Sequence, residues 1–380
     1  MTTHQPAWAE VDLGAIRRNA ERLRARARVP IIAMVKADAY GLGVVPVAQA
    51  RGAAFGSDTI ARSPTEALWA LGVSRLDEAK ELRAAGCSAR IVCCAPLLAD
   101  ELPEAAELKL RPSLHHVEDI AVWRSIGGGP WHFSVDTGMS RAGTSWRELL
   151  ANVAPIGAAI ADCQPEGIFT HFHSADVGDG SLRQQQERFA AACLALQAAL
   201  PLGVLVHSDN SAAIAARTSG SPGHLARPGI ALYGACEVLR LGLEQTVHLR
   251  ARVVDVRTIE AGESVSYLAT WTAPSVRRIA TVPLGYGDGY RQQLANRGEG
   301  LIGGRRCAVV GRVTMDLTML DVTDVPCDVG TVVTLIGRDG DTLLSTDTVA
   351  ERSGVSPYEL LVGLRLRVPR RYTGERDGFA

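Results

Sequence analysis

A lysine closes the apolar run Pro30-Ile31-Ile32-Ala33-Met34-Val35-Lys36 and opens the turn Ala37-Asp38-Ala39-Tyr40-Gly41-Leu42-Gly43. An amine held at a strand tip above a glycine-bearing loop suits imine chemistry, because a partly desolvated lysine gives up its proton more readily and becomes a nucleophile. Further along, His207-Ser208-Asp209-Asn210-Ser211-Ala212-Ala213 sets polar side chains ahead of a helix whose free N–H groups favour an anion. Ala226-Arg227-Pro228-Gly229-Ile230 places a glycine where backbone amides can approach a phosphate closely. A lysine facing a phosphate cradle suggests a phosphorylated aldehyde cofactor. His171-Phe172-His173 has the two-residue spacing that puts both rings on one strand face, so a metal-dependent barrel hydrolase competes with this reading. Such a site needs further ligands at other strand tips and leaves the lysine loop without a role, so no metal is expected.

These groups need a scaffold that gathers distant strand tips. Up to about residue 236, short apolar runs alternate with amphipathic helical stretches, the pattern of a parallel sheet with helical crossovers. Strands are expected at 31–35, 53–55, 91–95, 108–114, 132–135, 167–172, 204–207 and 224–232, with helices among them at 76–85, 147–162 and 182–200. Eight strands with eight crossovers favour a closed (β/α)8 TIM-like barrel over a doubly wound open sheet, and reactive groups of a barrel collect at the carboxyl ends of its strands. Past Gly234 the helices disappear and period-two alternation takes over, as in Leu249-Arg250-Ala251-Arg252-Val253 and Thr331-Val332-Val333-Thr334-Leu335. The expected organisation is therefore an α/β barrel over residues 1–236 and an antiparallel β domain over 237–380, with 238–246 as connector.

Composition narrows the function. The chain has 380 residues, 47 % hydrophobic and 21 % charged, which is ordinary for a soluble protein and long for one domain. With 40 basic against 41 acidic side chains, no broad basic field exists to attract nucleic acid or an anionic membrane. The start lacks an apolar signal core and no stretch approaches the roughly 20 apolar residues of a membrane span, so the expected location is the cytoplasm. The 8 cysteines are scattered, with Cys93 and Cys94 adjacent rather than spaced as in a zinc or redox motif, and are expected to be reduced and mostly buried.

The chain resembles the alanine racemase family, fold-type III pyridoxal 5′-phosphate enzymes, over nearly its whole length. The matching pieces are Val35-Lys36-Ala37-Asp38-Ala39-Tyr40-Gly41, Val135-Asp136-Thr137-Gly138-Met139-Ser140-Arg141, Thr170-His171-Phe172, Asn210-Ser211-Ala212-Ala213, Arg227-Pro228-Gly229-Ile230-Ala231-Leu232-Tyr233-Gly234, Val265-Ser266-Tyr267, Gly285-Tyr286-Gly287-Asp288-Gly289, Gly311-Arg312-Val313-Thr314-Met315-Asp316 and Arg367-Val368-Pro369-Arg370. Each is weak alone; their number and order make the resemblance strong.

The resemblance implies that Lys36 carries the cofactor and acts as acid/base on one face of the substrate while Tyr267 acts on the other. Inversion needs two opposed groups, because a proton removed from one side of a planar carbanion must return from the other. By the same resemblance Tyr40, Asn210, Ser211, Gly229 and Ile230 bind the cofactor phosphate end, Arg227 faces the pyridine nitrogen, and His171 with Arg227 supports Tyr267. Arg141 and the backbone of Met315 receive the substrate carboxylate. Tyr267 and Met315 are expected to enter the site of the other subunit in a head-to-tail homodimer. The implied activity is interconversion of L- and D-alanine, supplying D-alanine for peptidoglycan. The alternatives are a racemase of serine or of a broader set of amino acids, and a non-catalytic carrier of the cofactor, which would not exchange the α-hydrogen of alanine.

Several positions depart from the family pattern. Ser134 stands where the family often has a carbamylated lysine bracing the substrate arginine; a hydroxyl cannot carry that group, so Arg141 must be held by water, an anion such as chloride, or another side chain. Leu366 replaces a tyrosine of the pocket mouth, Leu42 replaces a frequent histidine, and 56–69 reads as extra sequence in an early barrel loop. These changes bear on the preferred side chain and leave the two-base residues in place.

Overall fold

The computed structural model describes residues 5–50, 68–236 and 241–374. The helix Leu13–Ala27 precedes the barrel; Leu13, Ile16, Ala20, Leu23 and Ala27 are buried at three-to-four spacing, and Asp12 caps its first turn by accepting from the Ala15 N–H at 2.8 Å. Ahead of it lies β1 (Ala7–Asp12), which belongs to another sheet. The barrel staves are β2 (Ile31–Met34), β3 (Leu68–Val73), β4 (Ile91–Cys93), β5 (Leu110–Leu114), β6 (His132–Asp136), and, after the short β7 (Thr144–Ser145), β8 (Gly167–Phe169) and β9 (Leu205–His207). They pair in parallel in the order β2-β3-β4-β5-β6-β8-β9. Most are apolar throughout because helices cover the outer face and side chains fill the inner one.

An eighth segment closes the ring. Leu225 bridges to His207 and Ala226 to Ile31, and the Ile32 N–H donates to the Ala226 carbonyl at 2.8 Å. The sheet is therefore a barrel rather than an open doubly wound sheet. The segment expected at 224–232 pairs only briefly, because Ile230–Tyr233 turns into a 3-10 helix. The second stave is Leu68–Val73, which hydrogen-bonds to both β2 and β4; the strand expected at 53–55 lies outside the described residues, as does most of the extra loop expected at 56–69. Leu68 and Trp69 belong to that stave and not to an insertion. The helix expected at 147–162 is broken at Asn152 into Trp146–Ala151 and Val153–Asp162, and the one expected at 182–200 runs Ser181–Ala195.

The second half builds two sheets, antiparallel throughout except where β1 joins one of them parallel to its last strand. Strands β10 (Val247–Arg252), β11 (Asp255–Ile259), β12 (Arg277–Val282), β13 (Glu299–Ile302), β14 (Arg305–Ala308), β15 (Thr318–Asp321), β16 (Val332–Asp339), β17 (Thr342–Leu344) and β18 (Arg370–Thr373) follow in order. One sheet runs β14-β13-β16-β10-β1-β18 with β17 on β16, and the other runs β11-β12-β15. Helices do not disappear here as the alternation suggested: Thr346–Ser353 and Pro357–Val362 form, capped by Ser345 and Ser356 accepting from the N–H groups of Thr348 and Glu359. Their packing on the sheet completes the core around Leu344, Val349, Leu360 and Leu361. Three cysteines, Cys93, Cys307 and Cys327, are buried and the other five are half-buried, so fewer are enclosed than expected.

Candidate active site

The lysine sits directly after β2, at the carboxyl mouth of the barrel, where the chain does something an L-polypeptide avoids. Ala37, Asp38, Ala39 and Tyr40 all have φ between 51 and 59°, forming one left-handed helical turn. Such backbone costs about 1–2 kcal/mol per non-glycine residue and persists only where surroundings enforce it. Glu78 is one enforcer, accepting from the Ala37 N–H at 2.6 Å with one oxygen and from Ser74 and Arg75 with the other. Asp38 is a second, accepting from the Val44 N–H at 2.7 Å. Gly41 and Gly43 continue at positive φ, and a β-carbon on Gly41 would lie 2.7 Å from the Leu361 carbonyl, so only glycine lets the loop seat against the β half. The reversed turn sends both Lys36 and Tyr40 into one cavity.

That cavity, about 540 Å³, lies at the strand tips. It gathers Lys36, Tyr40, Arg141, His171, Asn210, Ser211, Arg227, Gly229 and Ile230, nine predicted residues spread over almost two hundred positions of sequence. At one end Ser211 Oγ accepts from the Gly229 N–H at 2.9 Å, and Asn210 caps the following turn by accepting from Ala213. A β-carbon on residue 229 would lie 2.3 Å from the Tyr40 hydroxyl, so glycine keeps that oxygen and the nearby amides open to a ligand. Burial holds the Tyr40 phenol above its ordinary value, which keeps it a hydrogen-bond donor.

The floor is cationic. Arg227, 3 % exposed, donates to His207 Nδ1 at 2.7 Å and to the carbonyls of Thr170 and Ser208 at 2.6 and 3.2 Å, with His171 Nδ1 at 3.4 Å. None of these partners is a carboxylate, an arrangement that favours a neutral or anionic acceptor beside the guanidinium. Burial, followed by the charges of Arg227, Arg141 and Lys36, pushes His171 down to about 3, so its imidazole is neutral. Asp136, the acid on the lining, is occupied by the N–H groups of Gly138, Met139 and Ser140 at 2.9 to 3.1 Å, and so shapes the loop that carries Arg141. A surplus of fixed positive charge suits a ligand bearing phosphate and carboxylate.

Tyr267 and Met315 are not part of this lining. Both stand on the β half, where Ser266, Leu268 and Ala269 take positive φ and thrust the side chains outward; Tyr267 is 70 % exposed and Met315 52 %. Ser266 Oγ donates to the Arg312 carbonyl at 2.8 Å and the Gly287 N–H to the Met315 carbonyl at 2.9 Å, tying together the loops that carry Tyr267, Tyr286 and Met315. Sequence reasoning missed Tyr358, which reaches from Pro357–Val362 into the cavity with its ring 6.1 Å from that of Tyr40, and Cys94, whose thiol burial pushes up. A signal for Tyr358 existed, since Ser356-Pro357-Tyr358-Glu359 is a helix start. Ser134 lines the cavity as its place beside Asp136 implies, whereas Leu366 is 91 % exposed. Among the described residues no three His, Cys, Asp or Glu side chains are grouped as a metal site.

Known proteins share this two-part fold and much of this sequence. The family model for the alanine racemase N-terminal domain matches residues 11–237 and that for the C-terminal domain residues 246–372. An alanine racemase of Symbiobacterium thermophilum is 37 % identical over 98 % of both chains, and one of Geobacillus kaustophilus is 36 % identical over 97 % of this chain and 94 % of its own. Among solved structures, alanine racemase from a D-cycloserine-producing Streptomyces lavendulae superposes with a TM-score of 0.86 at 31 % identity, covering 98 % of each chain. Alanine racemase from Bartonella henselae, solved with covalently bound pyridoxal phosphate, gives 0.82 at 27 % identity over 97 % of this chain and 99 % of that one. Two family models, full-length relatives and a shared barrel with its β partner lead to one assignment: the chain belongs to the alanine racemase family.

Proposed function

We propose that this protein is an alanine racemase that interconverts L- and D-alanine with pyridoxal 5′-phosphate, using two bases from different chains. The observation that carries the reading is the convergence of Lys36, Tyr40, Ser211, Arg227 and Gly229 on one cavity, which brings an amine, a guanidinium and a phosphate cradle together. The donor set fits the cofactor: the Tyr40 hydroxyl, the Ser211 end and the opening over Gly229 suit a phosphate, and Arg227 suits an unprotonated ring nitrogen because a guanidinium gives up no proton. When bound, the cofactor supplies an electron sink that makes the α-hydrogen of the amino acid acidic. Arg227 limits that sink and so disfavours transamination. Lys36 holds the cofactor and moves a proton at its own Nζ; Arg141 receives the substrate carboxylate.

The second base is Tyr267 of a partner copy. Tyr267, Tyr286 and Met315 are exposed large apolar side chains of the β half, of the kind that association covers, and among the described residues the cavity lining holds no phenol other than Tyr40 and Tyr358. In this reading the protein works as a cytoplasmic homodimer and supplies D-alanine for peptidoglycan; no helix among the described residues is long and apolar enough to cross a membrane. Incubation with a panel of L-amino acids in deuterated water tests it. Alanine should exchange its α-hydrogen and appear as both enantiomers, faster than serine or larger residues. Exchange that leaves the L-configuration intact would overturn the two-base reading, and preference for another side chain would reassign the substrate.

A further inference from the structure

Behind Arg227 lies a line of buried polar side chains with no contact to the cavity. His207, the last residue of β9, meets His132, the first of β6, with His207 Nε2 2.7 Å from His132 Nδ1. His132 Nε2 lies 3.4 Å from Glu166 Oε2, just before β8, and Arg111 Nε grips the same oxygen at 2.5 Å. Both histidines are fully buried.

Donor inventory orients the whole line. Arg227 has only donors, so His207 Nδ1 beside it must be bare and the His207 proton must sit on Nε2. That proton points at His132 Nδ1, which must then accept, leaving the His132 proton on Nε2 toward the Glu166 carboxylate. Every donor thus points from the pocket toward the amino end of the barrel. The rings are also clamped: Phe169 stacks on His207 at 4.9 Å and 9°, and Trp69 lies 5.7 Å from His132. Asp209, the buried acid nearest in the chain to His207, is already taken by Arg217 at 2.5 and 2.8 Å.

We propose that His207, His132 and Glu166 are positioning residues for Arg227, forming an oriented hydrogen-bond relay that fixes the guanidinium as a donor toward the cofactor ring and ends on the Arg111-paired carboxylate at the amino end of the barrel. The proposal rests on the reading that Arg227 faces that ring. Burial lowers the basicity of both histidines, and in His207 the Arg227 charge adds to it, so neither competes for a second proton. Burial pushes the Glu166 carboxyl up, but the hydrogen bonds of His132 and Arg111 outweigh it and bring it down to about 2, so the relay ends on a carboxylate.

Nitrogen-15 NMR of the imidazoles in the cofactor-loaded protein, with the variants His132→Phe and Glu166→Gln, tests this. The intact protein should show His207 and His132 as neutral Nε2–H tautomers across neutral pH. His132→Phe should mix the His207 tautomers, shift the absorption band of the bound cofactor and weaken its binding about tenfold, the scale of one buried donor left unpaired. Glu166→Gln should shift the same band in the same direction by less. A His207 seen as the Nδ1–H tautomer or doubly protonated in the intact protein would overturn the relay, and so would a folded His132→Phe with unchanged band and affinity. If His132→Phe does not fold, Glu166→Gln, altered at the partly exposed end, decides by the same readouts. Absence of a borohydride-bleached band in the unmodified protein would instead strike the cofactor reading, since the tautomers can be read without it.

Discussion

Arg370 donates two hydrogen bonds to the carbonyl of Gly41, from Nε at 3.0 Å and Nη2 at 2.8 Å. The guanidinium belongs to β18 of the β half, whereas the carbonyl ends the left-handed turn that carries Lys36. Tyr372 adds a bond from its hydroxyl to the Leu42 carbonyl at 3.1 Å. One domain therefore holds the reactive loop of the other in its unfavourable conformation. Arg370→Ala leaves the Gly41 carbonyl without these donors and should cost about 1–3 kcal/mol of stability, read by denaturant unfolding, with faster loss of cofactor. Arg370→Lys should recover little, because a single ammonium cannot reproduce the fork.

Gly229→Ala should leave the fold intact and weaken cofactor binding. Its β-carbon would fall 2.3 Å from the Tyr40 hydroxyl, an overlap of the kind that costs about 1–3 kcal/mol. Titration of the apoprotein with cofactor reads the loss of affinity, denaturant unfolding of the apoprotein reads the overlap, and removal of that oxygen by Tyr40→Phe in the same chain should recover part of the lost stability. No relief would mean that the crowding lies elsewhere.

Acid should destabilise the protein through its buried histidines. His171 ordinarily takes a proton near 6.5, but in the fold it does so only at about 3. Between these values the unfolded chain binds more protons than the native one, so stability is present above about pH 6.5 and falls progressively toward pH 3. His171→Asn removes one such group; its unfolding free energy should decline less steeply over that window, a slope measurable by urea denaturation at several pH values.

Much of the pocket was legible because catalytic barrels put their reactive groups at strand tips, and short motifs mark those tips. Lys36, Tyr40, Arg141, His171, Asn210, Ser211, Arg227, Gly229 and Ile230 all line one cavity. What escaped is what depends on three-dimensional partnership. The stave Leu68–Val73 is not among the expected strands, and its first two residues read as insertion, because its apolar run is short and interrupted by Gly72, whose β-carbon would lie 2.3 Å from the Met34 sulfur of the neighbouring stave. Four successive left-handed residues without glycine have no local signature; Glu78 and Asp38 impose them. Tyr358 is silent in a half read as strands only, and the meeting of His132 with His207 joins residues 75 positions apart.

Mixing Lys36→Ala chains with Tyr267→Phe chains should restore part of the racemase activity that each lacks, through hybrid dimers with one intact pair of bases. Tyr267 is 70 % exposed and outside its own chain's cavity lining, so rescue requires a second copy. Proven heterodimers without any activity would contradict the shared site.

Ser134→Lys should change the Michaelis constant for alanine more than the turnover number. Ser134 lines the cavity with Arg141 and Asp136, where an added ammonium or its carbamate would alter how the arginine meets a carboxylate. Equal constants for the two proteins would make the position irrelevant to substrate binding.

The strand β1 lies between β10 and β18, antiparallel to the first and parallel to the second, with Ala9 opposite Arg370 and Asp12 opposite Thr373. A strand made early in synthesis therefore waits for one made much later. Until β18 emerges, β1 keeps an unmatched edge, and the clamp that Arg370 places on the lysine turn is equally missing. Deleting either β1 or β18 should damage one and the same sheet.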